Sequence, residues 1–244
     1  MTAVSLLEKT QTKRHAGVVR VTHWLTFIAF LALLVTGFEI VISHPRFYWG
    51  EVGNVNTRPL FVIPIPSSRD TVPTGYNYVM PDENGWSRYL HFEAAWLAVL
   101  AALVYGIYGV VSGHFLRNLV PQRRDWNARA YWARIRKYLH REKPDRAEET
   151  SYNVLQRTAY LVVIFVLFPL MILTGLAMSP SFTAAFPLTA SLLGGRQSAR
   201  TIHFFVSWLL LFFLVVHVAM VAMSGFWRRV RAMTTGARDA GEVR

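Results

Sequence analysis

Four apolar stretches dominate the chain, near Val18–Ile42, Tyr89–Gly113, Asn153–Met178 and Thr201–Ser224. Each is long enough to cross a bilayer, which takes about 20 apolar residues. Hydrocarbon offers no partner to a backbone amide, so a crossing segment must satisfy its own hydrogen bonds, and a single segment does so as a helix. Of the 244 residues, 53% are hydrophobic and 16% charged, so no soluble domain of ordinary size remains outside the spans. The expected fold is an all-α membrane protein, a four-transmembrane-helix bundle forming a single membrane domain over 1–244.

The net charge of +12 raises nucleic acid as a partner, but its distribution argues for topology instead. Lys9, Lys13, Arg14 and Arg20 precede or open the first span. Arg117, Arg123, Arg124, Arg129, Arg134, Arg136, Lys137, Arg141, Lys143 and Arg146 lie between spans two and three, and Arg228, Arg229, Arg231, Arg238 and Arg244 follow span four. In the long loop Ser43–Arg88, four arginines are balanced by Glu51, Asp70, Asp82 and Glu83. Positive charge alternates from side to side as the positive-inside rule requires, which puts both termini in the cytoplasm. The partner of this basicity is the bilayer, not nucleic acid. Cysteine is absent, which excludes disulfides, cysteine-ligated iron–sulfur clusters and covalent haem attachment. The first apolar stretch is too long for a signal-peptide core and has no small-residue cleavage site close behind it.

Spans two and four align without gaps at an offset of 112: Arg88/Arg200, His91/His203, Phe92/Phe204, Trp96/Trp208, Leu97/Leu209, Val104/Val216, Ser112/Ser224 and Gly113/Gly225. Shared leucines would mean little; shared Arg, His, Trp and Ser-Gly point to a duplicated helical hairpin. Spans one and three echo each other through Thr36-Gly37 and Thr174-Gly175. Asp125–Arg141 reads as a short cytoplasmic amphipathic helix with Trp126, Trp132, Ile135 and Leu139 on one face, suited to an anionic leaflet or, failing that, a solvated basic linker. The proline-rich extracytoplasmic loop 1–2, Ser43–Arg88, should be ordered with little regular structure, and the apolar connection Pro180–Ala199 suits the outer interface.

Four histidines lie inside the apolar stretches: His23, His91, His203 and His217. An ionisable group at that depth is costly and usually has a task. Span one enters from the cytoplasm, so His23 is in its inner half. Spans two and four enter from outside, so His91 and His203 are outer. His217 lies 14 residues beyond His203, about 21 Å further in, and returns to within about 40° of the same helix face. The four therefore fall into two levels, His23 with His217 and His91 with His203. Two imidazoles from different helices at one depth are what a six-coordinate haem iron needs. Lone intramembrane histidines also serve as helix–helix hydrogen bonders, but such residues need not fall into matched levels. Span three offers no ligand: about where span one has His23, it has Tyr160, and span two has Tyr105 where span four has His217. His15, His44, His114 and His140 lie at span ends or in loops and read as surface residues. Gly37, Gly106, Gly109 and Gly175 either admit a flat macrocycle or serve close helix packing. Arg20, Arg88 and Arg200, three residues before a histidine, stand as propionate partners or as snorkelling boundary residues.

Arg20-Val21-Thr22-His23-Trp24, Tyr48-Trp49-Gly50-Glu51-Val52-Gly53-Asn54, Tyr89-Leu90-His91-Phe92, Tyr152-Asn153-Val154-Leu155-Gln156-Arg157 and Gly194-Gly195-Arg196-Gln197-Ser198-Ala199-Arg200-Thr201-Ile202-His203-Phe204 carry a resemblance over essentially the whole chain. It resembles the bacterial four-helix membrane cytochromes b, a group with the Ni/Fe-hydrogenase b-type cytochrome subunits and the membrane subunit of formate dehydrogenase. The nearest likeness is to the thiosulfate-reductase cytochrome b subunit-like branch. The resemblance implies two non-covalent b haems ligated through helices one, two and four. That carries onto His23 and His217 for the inner haem and His91 and His203 for the outer. It further implies quinone exchange near the inner haem and an extracytoplasmic redox subunit, in that branch a molybdopterin oxidoreductase. For the quinone, the candidates are Asn153 and Gln156, whose other reading is loop–helix capping. The expected protein is an electron-transfer subunit of the bacterial inner membrane, not a catalytic one. A stand-alone quinol-oxidising cytochrome b, a non-redox haem-handling protein and a transporter remain as alternatives.

Overall fold

The computed structural model describes residues 15–54, 56–64, 83–121, 127–140 and 153–236. The middle of the outer loop with Pro66, Pro73 and Pro81, Asp125, Trp126 and Arg141 of the amphipathic stretch, Tyr152, and the terminal Lys9, Lys13, Arg14, Arg238 and Arg244 lie outside the described residues.

In chain order the elements are α1 (Gly17–Ser43), a two-residue antiparallel pair β1 (Arg46–Phe47) and β2 (Phe61–Val62), α2 (Glu83–Val111), a π-helical turn (Phe115–Leu119), α3 (Ala128–Leu139), α4 (Val154–Val162), a second π turn (Val163–Leu167), α5 (Phe168–Met178), the short α6 (Pro180–Ala185) and α7 (Leu188–Leu192), α8 (Arg196–Met223) and α9 (Phe226–Thr234). Four helical segments are long and apolar enough to cross a membrane: Gly17–Ser43, Trp86–Val111, Val154–Met178 and Arg196–Met223. These are the four expected spans. The third is α4, the π turn and α5 run together. Pro169, near the start of α5, has no amide hydrogen to continue an α ladder, and the wider π turn sits immediately before it. The amphipathic stretch is helical as α3, with Trp132 exposed.

Spans two and four differ from the expected limits for local reasons. Span two ends at Val111 because Gly113 turns left-handed at φ +65°, a common helix stop. Span four begins early, at Arg196, because a preceding loop caps it. Its first free amides all find acceptors. Arg196 N–H donates to Glu51 Oε2 (2.9 Å), Gln197 and Ser198 N–H to the Gly50 carbonyl (3.0 and 3.2 Å), and Ala199 N–H to the Gly195 carbonyl (2.9 Å). Those orphan donors would otherwise be a liability at a helix end, and the Glu51 carboxylate also suits the positive end of the helix dipole.

By contact the chain divides into two compact units, 1–27 with 100–157 and 214–244, and 28–99 with 158–213. The boundaries at 27/28, 99/100 and 213/214 fall inside helices. In the first unit, α9 turns off α8 at Gly225, which has φ +94°. The last carbonyls of α9 are held by α1: Arg20 Nη1 donates to Thr234 O (2.7 Å) and Trp24 Nε1 to Met233 O (3.1 Å). Arg157 Nη1 reaches the Val120 carbonyl at 2.9 Å.

In the second unit, Val163, Val206 and Leu210 form a buried cluster against Phe30, Leu167, Met171 and Phe213. The outer-loop segment 44–54 docks on α8. Gly50 N–H donates to Ser198 Oγ (2.7 Å), Thr201 Oγ1 to Tyr48 O (2.7 Å), and Arg196 pairs with Glu51 at 3.5 Å. The buried Phe47 stacks on Phe61 with centroids 4.7 Å apart, and the Arg200 guanidinium stands 4.8 Å over the Phe47 ring.

Candidate functional site

The four intramembrane histidines form two pairs, one in each unit. His23 on α1 and His217 on α8 have ring centroids 6.3 Å apart with planes at 52°. His91 on α2 and His203 on α8 have centroids 6.4 Å apart with planes at 58°. All four are partly buried. Each pair joins the partners expected from depth. Among the described residues no three His, Asp or Glu side chains gather as a metal cage, so the pairs stand as two-nitrogen sets.

The surroundings of the pairs differ. Thr36 Oγ1 lies 2.9 Å from His91 Nδ1, and Thr174 Oγ1 lies 2.9 Å from His203 Nδ1. The glycine after each threonine faces the same ring: a Cβ on Gly37 would sit 3.8 Å from His91 Cε1, and one on Gly175 would sit 3.6 Å from His203 Cε1. The Thr-Gly echo between spans one and three is thus a repeated contact to the repeated histidine. Its period was visible in the sequence; that the hydroxyl would meet an imidazole was not. His23 Nδ1, by contrast, is buried with no hydrogen-bond partner, and the Trp24 ring meets its ring edge-on at 5.3 Å.

The other glycines separate the two readings given to them. Gly109 serves packing: a Cβ there would fall 2.1 Å from the Phe115 ring. Gly106 has nothing within 4 Å of a Cβ position. Arg200 and Arg20 are engaged with backbone. Arg200 donates to the carbonyls of Arg46 (3.1 Å) and His44, and Arg20 to Thr234 O. These contacts tie down chain segments, which the boundary reading accommodates and the propionate reading does not require. His44 and His114 are half-buried, not surface residues. Burial and then the charges of Arg200 and Arg88 hold His44 below the usual histidine range. Burial and then Arg117 do the same for His114, which packs among Tyr105, Tyr108 and Phe115 and meets Asn118 Nδ2 at 2.8 Å. His140 is exposed.

Asn153 and Gln156 form a reciprocal cap on α4. Gln156 N–H donates to Asn153 Oδ1 (3.0 Å) and Asn153 N–H to Gln156 Oε1 (3.2 Å). This is the capping-box pattern with amides in place of hydroxyl and carboxylate. Both side-chain oxygens are engaged, so any carbonyl ligand would meet the amide nitrogens.

The family described as prokaryotic cytochrome b561 matches residues 14–236. The chain belongs to that family. This cytochrome b561 is 31% identical over 209 residues to a putative protein-methionine-sulfoxide reductase subunit, YedZ1, of Azospira oryzae, covering 86% of the chain and 90% of that relative. It is 28% identical over 214 residues to a probable Ni/Fe-hydrogenase B-type cytochrome subunit of Cupriavidus necator, covering 82% and 74%. A subunit of the same description from Azotobacter chroococcum is 24% identical over 226 residues, covering 89% and 82%. The protein is a multi-pass bacterial membrane cytochrome of b type, a family whose cofactor is haem b.

The histidine pairs fit that cofactor. An imidazole nitrogen sits about 2.0–2.1 Å from a bound metal and the ring centre about 1.1 Å behind it, so two imidazoles on opposite sides of one metal have centres about 6.3 Å apart. The observed centroid separations are 6.3 and 6.4 Å. Neutral imidazole is the donor that low-spin b-type iron takes.

Proposed function

We propose that this cytochrome b561 is a di-haem electron conduit. His23 and His217 hold an inner haem b; His91 and His203 hold an outer one. The observation that carries this is the pair of imidazole separations, each the spacing that two imidazoles holding one metal between them would have. Span four supplies one ligand to each haem. Haem held there would supply one-electron redox chemistry with no covalent change to the protein. The polypeptide supplies ligation, a dry apolar surround and nearby charge, the levers that set a haem's potential.

The chain acts as one membrane domain over 1–244, since its two compact units are divided within helices and not at linkers. The alternation of basic segments supports cytoplasmic termini. Electrons pass between the quinone pool on the inner side and an extracytoplasmic redox subunit, of molybdopterin oxidoreductase type by the resemblance noted above. That the relatives are named as subunits, one of a protein-methionine-sulfoxide reductase and others of Ni/Fe-hydrogenases, supports a partner of this kind. The outer-loop segment 44–54, fastened to the helix that carries His203, is the docking surface in this reading.

The test is a reduced-minus-oxidised spectrum of the purified protein with haem quantified by extraction. Two low-spin haems b per chain, unaltered by carbon monoxide, are expected. A single haem, or one that binds carbon monoxide, removes the two-pair assignment and favours a haem-handling role. Asn153 and Gln156 supply amide nitrogens to a quinone carbonyl at the inner side in the same reading. Replacing both with leucine should slow quinol-driven haem reduction at least tenfold while leaving dithionite reduction intact; an unchanged rate returns both residues to capping alone.

A further inference from the structure

We propose that Thr36 and Thr174 are positioning residues for the outer haem. Their hydroxyls accept the Nδ1–H of His91 and His203, which fixes both rings in the tautomer that leaves Nε2 to the metal. This inference rests on the ligand assignment proposed above.

The argument is one of counting hydrogens. A threonine hydroxyl has one hydrogen to donate. Thr36 Oγ1 lies 2.7 Å from the Ala32 carbonyl and 3.3 Å from that of Leu33. A carbonyl can only accept, so the hydroxyl hydrogen goes there, as is usual for threonine within a membrane helix. The 2.9 Å contact from the same oxygen to His91 Nδ1 then has no hydrogen unless the imidazole provides it. Thr174 repeats the arrangement, with Leu170 O at 2.8 Å, Met171 O at 3.0 Å and His203 Nδ1 at 2.9 Å. Both threonines are fully buried at 0% exposure, so no water competes for either bond. Two sites with the same three-way geometry, on two halves of a repeated sequence, make a chance contact a poor explanation.

The adjacent glycines complete the seat. A Cβ added at Gly37 or Gly175 would stand 3.8 or 3.6 Å from the next ring atom, Cε1, so each glycine faces the ring and leaves it room. Each ring is thus held at Nδ1, and the ring nitrogen left over is Nε2. A hydrogen bond at the far nitrogen also makes an imidazole a stronger electron donor, which favours ferric iron and lowers the haem's potential. His23 shows no such bond, since its Nδ1 is buried without a partner. At Nδ1, His23 is therefore seated differently from His91 and His203, and the two threonines make that difference.

The experiment uses the purified full chain with its haems bound. Thr36→Val and Thr174→Val keep the shape and remove the hydroxyl; Thr36→Ser and Thr174→Ser restore it. Spectroelectrochemical titration reads both midpoint potentials, the outer one identified as the component missing from His91→Ala. Each valine variant is expected to raise the outer potential and leave the inner unmoved, the double variant to raise it further, and the serine variants to return it. Outer haem should also dissociate from the valine variants faster, by about tenfold or more. Valine variants with two haems at parental potentials overturn the proposal, as does an equal shift of both. If a valine variant does not accumulate, the serine variant decides: a shifted outer potential there overturns the proposal, and a parental one upholds it. The ligand assignment fails separately, if His91→Ala retains two low-spin haems.

Discussion

Replacing His217 with alanine should leave a folded protein with one haem b in place of two. The ring is half of the inner pair, and in the di-haem reading proposed above its loss would leave His23 as the sole protein donor there. A six-coordinate low-spin centre cannot form from one imidazole, so about half of the reduced α-band should vanish. The surviving component should be the outer haem, whose ligands His91 and His203 are untouched. His91→Ala should produce the complementary spectrum. His140→Ala, at an exposed position, should change neither. The comparison is diagnostic because His203 and His217 share α8: a variant that merely damaged that helix would lose both centres together. Loss of both haems from either single variant, in protein that still elutes as a folded species, would contradict the pairing.

Gly195→Ala should be the most damaging change outside the histidines. The residue sits at φ +108°, a left-handed conformation that a side chain resists. A Cβ there would lie 2.5 Å from the backbone carbon and oxygen of Gly50 and 2.6 Å from the Glu51 nitrogen. Backbone cannot swing aside as a side chain can, so loop and helix must part. The strained conformation and the overlap together should cost about 2–5 kcal/mol. The same movement removes the caps from the start of α8, about two turns before His203. Thermal unfolding in detergent should show a large drop, with the outer haem released before the inner. Gly106→Ala is the control, since its Cβ meets nothing within 4 Å; in a helix that exchange should be neutral or gain about 0.5–1 kcal/mol. Equal thermal midpoints for the two variants would contradict the account of the loop as a backbone-to-backbone lock.

Hydropathy made the spans legible, because a bilayer-length apolar run has few folds open to it. Which histidine rings stand near each other was legible too, because charge alternation and a fixed rise per residue group them into the same two pairs. Contacts fixed by how helices cross were not. Thr36-Gly37 stood out as a repeat of Thr174-Gly175, yet nothing in the spacing says that a hydroxyl on span one meets an imidazole on span two. The cap on α8 was hidden for a similar reason: its key acceptor is the backbone carbonyl of Gly50, which carries no residue-type signature. Arg200 shows another gap. Its place before His203 fits a cofactor partner or a boundary residue, and its contacts to the carbonyls of Arg46 and His44 could not be read from that spacing. Asn153 and Gln156 had the spacing of a cap, and that is the arrangement found.

The threonine–histidine bonds join spans that follow each other along the chain, α1 to α2 and α5 to α8. Each contact needs only its own two spans, so neither depends on the other half of the chain to bring its partners together. Each half of the nascent protein can thus present a correctly turned imidazole by itself. In the di-haem reading proposed above, filling the outer site would then ask only that two prepared halves close on a porphyrin, with the seat already shaped by the chain itself.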